Sequence, residues 1–365
     1  MSTDPAQRGG GFDRRGVLRQ ALCLIVSLVG AAAAQWAHIP LAWVLAPLIV
    51  TAAFGLAGSP TFAPQSGRRL GQMIIGSSLG LFVTLDVLQR LVGLVPVVAG
   101  TGLFSIVACA LAGQVFGRVV GIDSTTAFFA TTPGGLSEMA RVGEEAGGRV
   151  DVISLTQAIR VATVVLVLPP AVIAIGLDGG MDSLLPGQDI GYAWAAAIIV
   201  AAFAGALVMQ AIRFDNPWTM GALFAVGAMT ASGLIAGKLP QPLFWAGQFL
   251  IGAAIGARFK RETVRSLKKI CLAAIPTALI TLSVMTCFGL LVSMLAGIDP
   301  ATAILGASPG GLAEMSVTAQ LLHVDVALVV AFHVFRSFFV NGFSRRLHAG
   351  LVGLGVLDRP PSRPG

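Results

Sequence analysis

Apolar residues fill this chain in long blocks, and short polar stretches separate them. The blocks fall near 17–37, 41–57, 70–88, 94–117 and 152–177. A second set follows near 191–212, 217–237, 243–258, 271–296 and 325–344. Most approach or exceed the roughly 20 apolar residues that carry a helix across a bilayer. They are rich in Gly, Ala, Leu, Ile and Val, and small residues let helix backbones approach closely in lipid. No segment alternates apolar and polar over about 10 residues, as a membrane β-strand would. The pattern predicts an all-α polytopic membrane protein.

Composition agrees. The chain has 365 residues, 55% hydrophobic and only 11% charged, against about 25% charged in ordinary soluble domains. The net charge of +7 needs no nucleic-acid partner, because the cytoplasmic loops of membrane proteins collect Arg and Lys. Cys23, Cys109, Cys271 and Cys287 all lie in apolar segments without a pairing or metal-ligand spacing, so they read as small buried or lipid-facing residues. Arg14-Arg15 precede an apolar run ending in "AAAAQW", which looks like an export signal. That run has a partner later in the chain, which makes it the first helix of a repeat.

Sliding the chain by 176 positions superposes its halves. Pro64-Gln65 falls on Pro240-Gln241, Gly71-Gln72 on Gly247-Gln248, and Gly76 and Gly80 on Gly252 and Gly256. Asp123 falls on Asp299 and Arg160 on Arg336. The string Pro133-Gly134-Gly135-Leu136, with Glu138 and Met139, falls on Pro309-Gly310-Gly311-Leu312, with Glu314 and Met315. Such a match marks an internal duplication. The expected organisation is a tail at 1–16, one membrane repeat at 17–177, an external linker at 178–190, a second repeat at 191–346, and a tail at 347–365. Each repeat holds five apolar helices and one PGG segment.

Charge orients the repeats. If each PGG segment enters and leaves on one side, each repeat crosses five times and the two are inverted. One side then carries 20 of the 24 basic residues, from Arg8 to Arg363, and the other carries Arg90, Lys238 and the acidic linker. If the PGG segments cross instead, the basic run 258–269 lands outside. The positive-inside rule favours the first arrangement, with ten crossings and both termini cytoplasmic.

Inverted repeats with interrupted helices at matching positions point to a secondary transporter with its site at the interruptions. Thr132 and Ser308 suit a helix N-cap, Pro133 and Pro309 the first helical position, and the paired glycines a close backbone approach. The expectation is two re-entrant hairpins whose tips meet near the midplane and offer helix N-termini to an anion. A helix kink or a packing device is the plainer alternative. Glu138 and Glu314 fall six residues after Thr132 and Ser308, too far for a capping box. A carboxylate inside a membrane needs a partner or a wet cavity. They read as coupling groups for a proton or cation, or as salt-bridge partners of Arg160 and Arg336. Those arginines are alternatively ligands for an anionic solute. Gln157 and His333, one turn earlier, and Gln72 and Gln248 are candidates to line the cavity. Gly76-x-x-x-Gly80 and Gly252-x-x-x-Gly256 read as helix-packing faces, and Asp123 and Asp299 as caps.

The doubled "PGGLSEM" and "PGGLAEM", with the "GQxxIG" pairs at 71–76 and 247–252, resemble the AbrB family of bacterial inner-membrane proteins over roughly residues 17–350. The resemblance implies a duplicated membrane repeat and a place in the bacterial inner membrane. Family members often carry the labels ammonia monooxygenase or regulator, and their relatives by architecture are inverted-repeat transporters. No catalytic residue carries over. A monooxygenase needs clustered metal ligands, and His38, His323, His333 and His348 form no such cluster in the sequence. No DNA-binding motif is visible.

The expectation is therefore a permease for a small anionic organic solute, coupled to H⁺ or Na⁺, with no cofactor, no bound metal and no nucleic-acid partner. Its partners are the solute, the coupling cation and the bilayer, and a homo-oligomer stays open. A membrane-bound oxidase and a membrane sensor that regulates gene expression are the competing classes.

Overall fold

A computed structural model describes residues 14–61, 63–177, 189–212, 214, 216–354 and 357. The tail through residue 13 with Arg8, the linker residues 178–188 with Asp178 and Asp182, Arg213, and the segment from 358 with Arg359 and Arg363 lie outside them. The described residues form fifteen helices and no strand. Repeat 1 holds α1 (Arg14–Trp36), α2 (Ala42–Leu56), α3 (Gln65–Gly80), α4 (Leu85–Val120), α5 (Ser124–Thr131), α6 (Leu136–Glu145) and α7 (Val150–Ala174). Repeat 2 holds α8 (Tyr192–Ala211), α9 (Pro217–Ala231), α10 (Gln241–Gly256), α11 (Arg261–Ser266), α12 (Lys268–Ala296), α13 (Pro300–Ala307), α14 (Leu312–Leu321) and α15 (Val326–Gly353).

Five of these helices, α1, α4, α7, α8 and α12, are long and apolar enough to cross a membrane, and α15, bent by 46°, makes a sixth. This is a multi-pass membrane protein. The ten full-length crossings expected from the apolar blocks are not all met. Helices α2, α3, α9 and α10 have only 15 or 16 residues, or about 24 Å at 1.5 Å per residue. Local chemistry sets these ends. The apolar block at 70–88 splits because α3 stops at Gly80 and Thr84 caps a new helix, its hydroxyl accepting from Val87 N at 3.3 Å. That helix, α4, then runs 36 residues to a left-handed Gly121. The basic run 258–269, expected as a loop, contains α11 and the start of α12.

The helices form two bodies. One, the platform, contains α1–α3 and α8–α10. The other, the hairpin body, contains α4–α7 and α12–α15. The principal pairings occur twice under exchange of the repeats. Helix α1 packs on α2 as α8 packs on α9, and α3 on α9 as α10 on α2. In the other body, α4 packs on α5 and α15 as α12 packs on α13 and α7. Helix α8 also touches α3, a contact that α1 and α10 do not match. The shared glycines set the platform's tight crossings. A methyl at Gly76 would collide with the Thr219 carbonyl, and one at Gly252 with the Val44 carbonyl. These contacts refine the sequence register. Val44 matches Thr219, and the left-handed caps Leu41 and Asn216 match, so the offset across α2 and α9 is 175. One residue is gained before α10, and the 176 register holds after it.

The basic segments collect at one end of the molecule. Arg345 pairs with Glu145 at 3.5 Å, and the end of α2 meets the chain at Phe259 and Arg261. The opposite end carries Lys238, His38 and His323 around a common cavity.

Candidate functional site

Helices α5 and α6 form one hairpin, and α13 and α14 form the other. Each begins on an aspartate cap. Asp123 accepts from Thr126 N and Asp299 from Thr302 N, both at 2.7 Å. Each chain also returns to its start. Thr126 Oγ1 accepts from Arg149 N at 2.9 Å, and Thr302 Oγ1 from Asp325 N at 3.2 Å. The first hairpin is based at the basic end, where Glu145 meets Arg345. The second is based at the opposite end, where Gln320 and His323 flank the cavity beside Lys238.

The turns differ from the sequence expectation in one respect. Thr132 and Ser308 close the first half-helix of each hairpin rather than capping the second, with extended ψ of 129° and 146°. A residue before proline is driven out of the helical region, so Pro133 and Pro309 sit in the crossing segment. The second half-helix starts two residues later, on Gly135 and Gly311, neither of which supplies a side-chain cap. Glu138 and Glu314 therefore fall at the third helical position, where a carboxylate faces the unpaired N–H groups. They are not too distant for capping, as counting from Thr132 and Ser308 implied. The Glu314 carboxylate lies against Gly311 itself.

The buried polar residues of α7 and α15 brace the ends of α5 and α13. Gln157 Nε2 donates to the carbonyls of Phe129 and Thr132, both at 2.8 Å. Arg160 donates to Thr131 O at 3.2 Å, Thr132 O at 3.0 Å and Gly134 O at 3.5 Å. In the second hairpin Arg336 donates to Ser308 O and, at 2.6 Å, to Gly310 O. It also meets His333 Nδ1 at 2.9 Å, while His333 Nε2 meets Leu305 O at 3.0 Å. Because arginine only donates, Nδ1 accepts and the ring proton sits on Nε2. Last-turn carbonyls of a helix have no internal partner, and burial would make them costly if left unpaired. This arrangement replaces the expected Glu–Arg salt bridges. Glu138 pairs instead with Arg141, and no ion pair holds Glu314 among the described residues. The Nε atoms of Arg160 and Arg336 and Oε1 of Gln157 are buried without a hydrogen-bond partner among the described residues.

Both turns open on one cavity of about 280 Å³ between the two bodies. Its hairpin-side wall is Pro133, Gly134, Gly135, Glu138, Gly310, Gly311 and Glu314, with Arg160 and Arg336 behind them. The platform supplies Arg68, Gln72, Trp218 and Arg258. Gln72 Nε2 donates to Asn216 Oδ1 at 2.9 Å. Gln248 does not join this group. It lines a second, larger cavity with Ser78, Trp245 and Gln320. Thr132, Ser308, Gln157 and His333 are fully buried behind the turns. The sequence reading assigned Arg68 and Arg258 to loop charge. A usable signal existed for the first, since Arg68 sits one helical turn before Gln72 and so shares its face.

A family model described as "Transition state regulatory protein AbrB" matches residues 54–347. The chain belongs to the AbrB family. It is 29% identical over 360 residues to "Uncharacterized protein YhjN" of Bacillus subtilis strain 168, covering 91% of this chain and 94% of that protein. It is 25% identical over 334 residues to "Putative regulator AbrB" of Escherichia coli strain K12, covering 88% of this chain and 93% of that protein.

Proposed function

We propose that this AbrB-family protein is a secondary transporter for a small organic anion, coupled to H⁺ or Na⁺, and not an enzyme. The observation that carries the reading is the meeting of two duplicated Pro-Gly-Gly turns in one cavity between two helix bodies. Non-helical backbone at membrane depth is tolerated where it is buried in protein or lines a cavity, and paired broken helices mark binding sites in duplicated transporters. Four arginines and two glutamates line the cavity, which supports an anionic solute. The uncapped N-termini of α6 and α14 add a favourable dipole end for it. Glu314 and Glu138 are the candidates to carry the coupling cation.

In this reading the repeats are inverted, and each hairpin is re-entrant from its own side. The support is the placement of the two hairpin bases at opposite ends. The positive-inside rule supports a basic end on the cytoplasmic side, and the reading includes both termini on that side and a bacterial inner membrane as the protein's location. Labelling intact cells with an impermeant thiol reagent tests this. In a variant without native cysteines, Leu321→Cys is expected to label and Glu144→Cys to stay protected. Equal labelling of both would remove the facing-hairpin site.

Flux into proteoliposomes tests the transport role. Organic anions are screened under an imposed pH or Na⁺ gradient. The expected result is accumulation that an ionophore abolishes and that Arg258→Ala reduces at least tenfold in apparent affinity. The name of the E. coli relative supports a second reading, a membrane sensor that regulates gene expression. Saturable anion binding without flux would favour it.

A further inference from the structure

The larger cavity, about 780 Å³, lies at the opposite end of the platform from the hairpin turns. Its platform wall repeats that of the smaller one under exchange of the repeats. Trp43 stands where Trp218 stands, Gln248 where Gln72 stands, and Ser78 where Ala254 stands. The neighbours match too. Trp43 stacks on Trp245 with ring centroids 5.2 Å apart, and Trp218 carries the Arg69 guanidinium 5.1 Å from its centroid. Arg69 is the repeat equivalent of Trp245. One chamber is therefore the counterpart of the other, but only one of them holds the turns.

The contacts between the bodies break the same symmetry. Helix α14 packs on α3, with Gln320 Nε2 donating to Ser78 Oγ at 3.2 Å. The equivalent pair, α6 and α10, makes no comparable contact. Helix α7 touches α2, and on the other side α15 and α9 share the wall of an apolar groove. Contacts inside each body are mostly doubled, while the docking of α14 on α3 is single. Bodies that keep their internal packing can trade one docking arrangement for its mirror at little internal cost, which is shear motion.

We propose that the 780 Å³ chamber is the other half of the solute path, and that a second conformation docks α6 against α10. This rests on the transporter reading only for the word solute, since the exchange of docking stands on the repeats alone. In the second state the turns leave Arg68, Gln72 and Arg258 and face their counterparts Phe244, Gln248 and Phe82. The solute then passes from two platform arginines to aromatic and amide side chains at the equivalent positions, in a chamber that Lys238, His38 and His323 also line. That change weakens its hold on the second side.

Paired cysteines test it. Ser78→Cys with Gln320→Cys should cross-link under mild oxidation and trap the observed state. The repeat equivalents of those positions are Ala254 and Glu144. Ala254→Cys with Glu144→Cys should also cross-link in membranes, although these residues belong to separate cavities here. Failure of the second pair to cross-link, while the first forms, overturns the proposal. Single cysteines give an independent measure should the double variant not insert. Ala254→Cys and Ser78→Cys should both react with thiol reagents, from opposite faces, and reaction at Ala254→Cys alone overturns the exchange. The two readings fail separately. Cross-linking of both pairs without flux of any anion keeps the exchange and removes transport. Flux with only the first pair formed keeps transport and removes the exchange.

Discussion

In hairpin 1, Gln157 donates to two carbonyls at the end of α5, and Arg160 shares one of them. In hairpin 2, His333 reaches one carbonyl and spends its other nitrogen on Arg336, which alone holds Ser308 O and Gly310 O. The backbone demand is the same in both, because each half-helix ends in buried carbonyls. The first solution is redundant and the second depends on a single guanidinium. The carboxylates differ in the same direction. Glu138 has Arg141 one turn away, whereas Glu314 has Val317 at the equivalent place. Helix α6 continues with exposed charges, and α14 continues with buried apolar and uncharged side chains against α3. Duplication thus preserved what the backbone needs and let the charge chemistry diverge.

The largest way to break the comparison is to remove the arginines. Arg336→Ala strips both bonds from the second turn and leaves its carbonyls buried. Hydrogen bonds to charged groups contribute about 1.5–3 kcal/mol each, so the loss is expected to be about 3 kcal/mol or more. Arg160→Ala leaves Thr132 O bonded to Gln157 and loses only the longer bonds to Thr131 O and Gly134 O, at 3.2 and 3.5 Å, so it should cost less than Arg336→Ala. Thermal unfolding in detergent, followed by loss of the monodisperse peak, checks the order. Equal destabilisation by the two variants would show that the redundancy in hairpin 1 carries no energy.

A middle-sized effect should separate the glutamates. Glu138 and Arg141 form a partly exposed pair, and such pairs contribute about 0–1 kcal/mol. Glu138→Gln is expected to keep most transport with a modest change in apparent affinity. Glu314→Gln removes the carboxylate that lies on Gly311 and has no ion-pair partner among the described residues. It should abolish accumulation driven by the cation gradient while leaving downhill exchange in place. The check is counterflow against gradient-driven uptake in the same proteoliposomes. If both variants behave alike, coupling does not reside in hairpin 2.

The duplicated motifs, the all-α class and the interruption of both helices were legible in the chain, because proline, glycine and long apolar runs act on local backbone. The helix start at Gly135 and Gly311 was not. It depends on how far the turn extends after Thr132-Pro133 and Ser308-Pro309, which two consecutive glycines leave undetermined. The roles of Arg160 and Arg336 were also hidden. A buried arginine in sequence suggests a carboxylate partner, and only the fold shows that the unpaired acceptors are carbonyls of the neighbouring half-helix. Arg68 and Arg258 looked like ordinary loop charge; the spacing of Arg68 from Gln72 was a usable signal, but nothing in the spacing of Arg258 reveals that its loop end borders a cavity. The one-residue shift between α2 and α9 lies among apolar residues, where any register matches about equally well.

The smallest expected effect is the most selective. His333→Gln gives hairpin 2 the residue that hairpin 1 uses. A glutamine amide can donate to Leu305 O, as Gln157 donates to Phe129 O, and its oxygen can accept from Arg336. The brace is then rebuilt with the same number of bonds, so stability should change by less than about 1 kcal/mol, within the range of ordinary hydrogen-bond replacement. His333→Leu removes both bonds and leaves one Arg336 donor unpaired, while the Leu305 carbonyl keeps the Ser308 hydroxyl as a donor at 2.8 Å, so it should fall between His333→Gln and Arg336→Ala. Melting temperatures of the three variants, measured together, give the order. If His333→Gln proves as damaging as His333→Leu, the imidazole is doing something in hairpin 2 that an amide cannot. The two hairpins would then differ in chemistry as well as in redundancy.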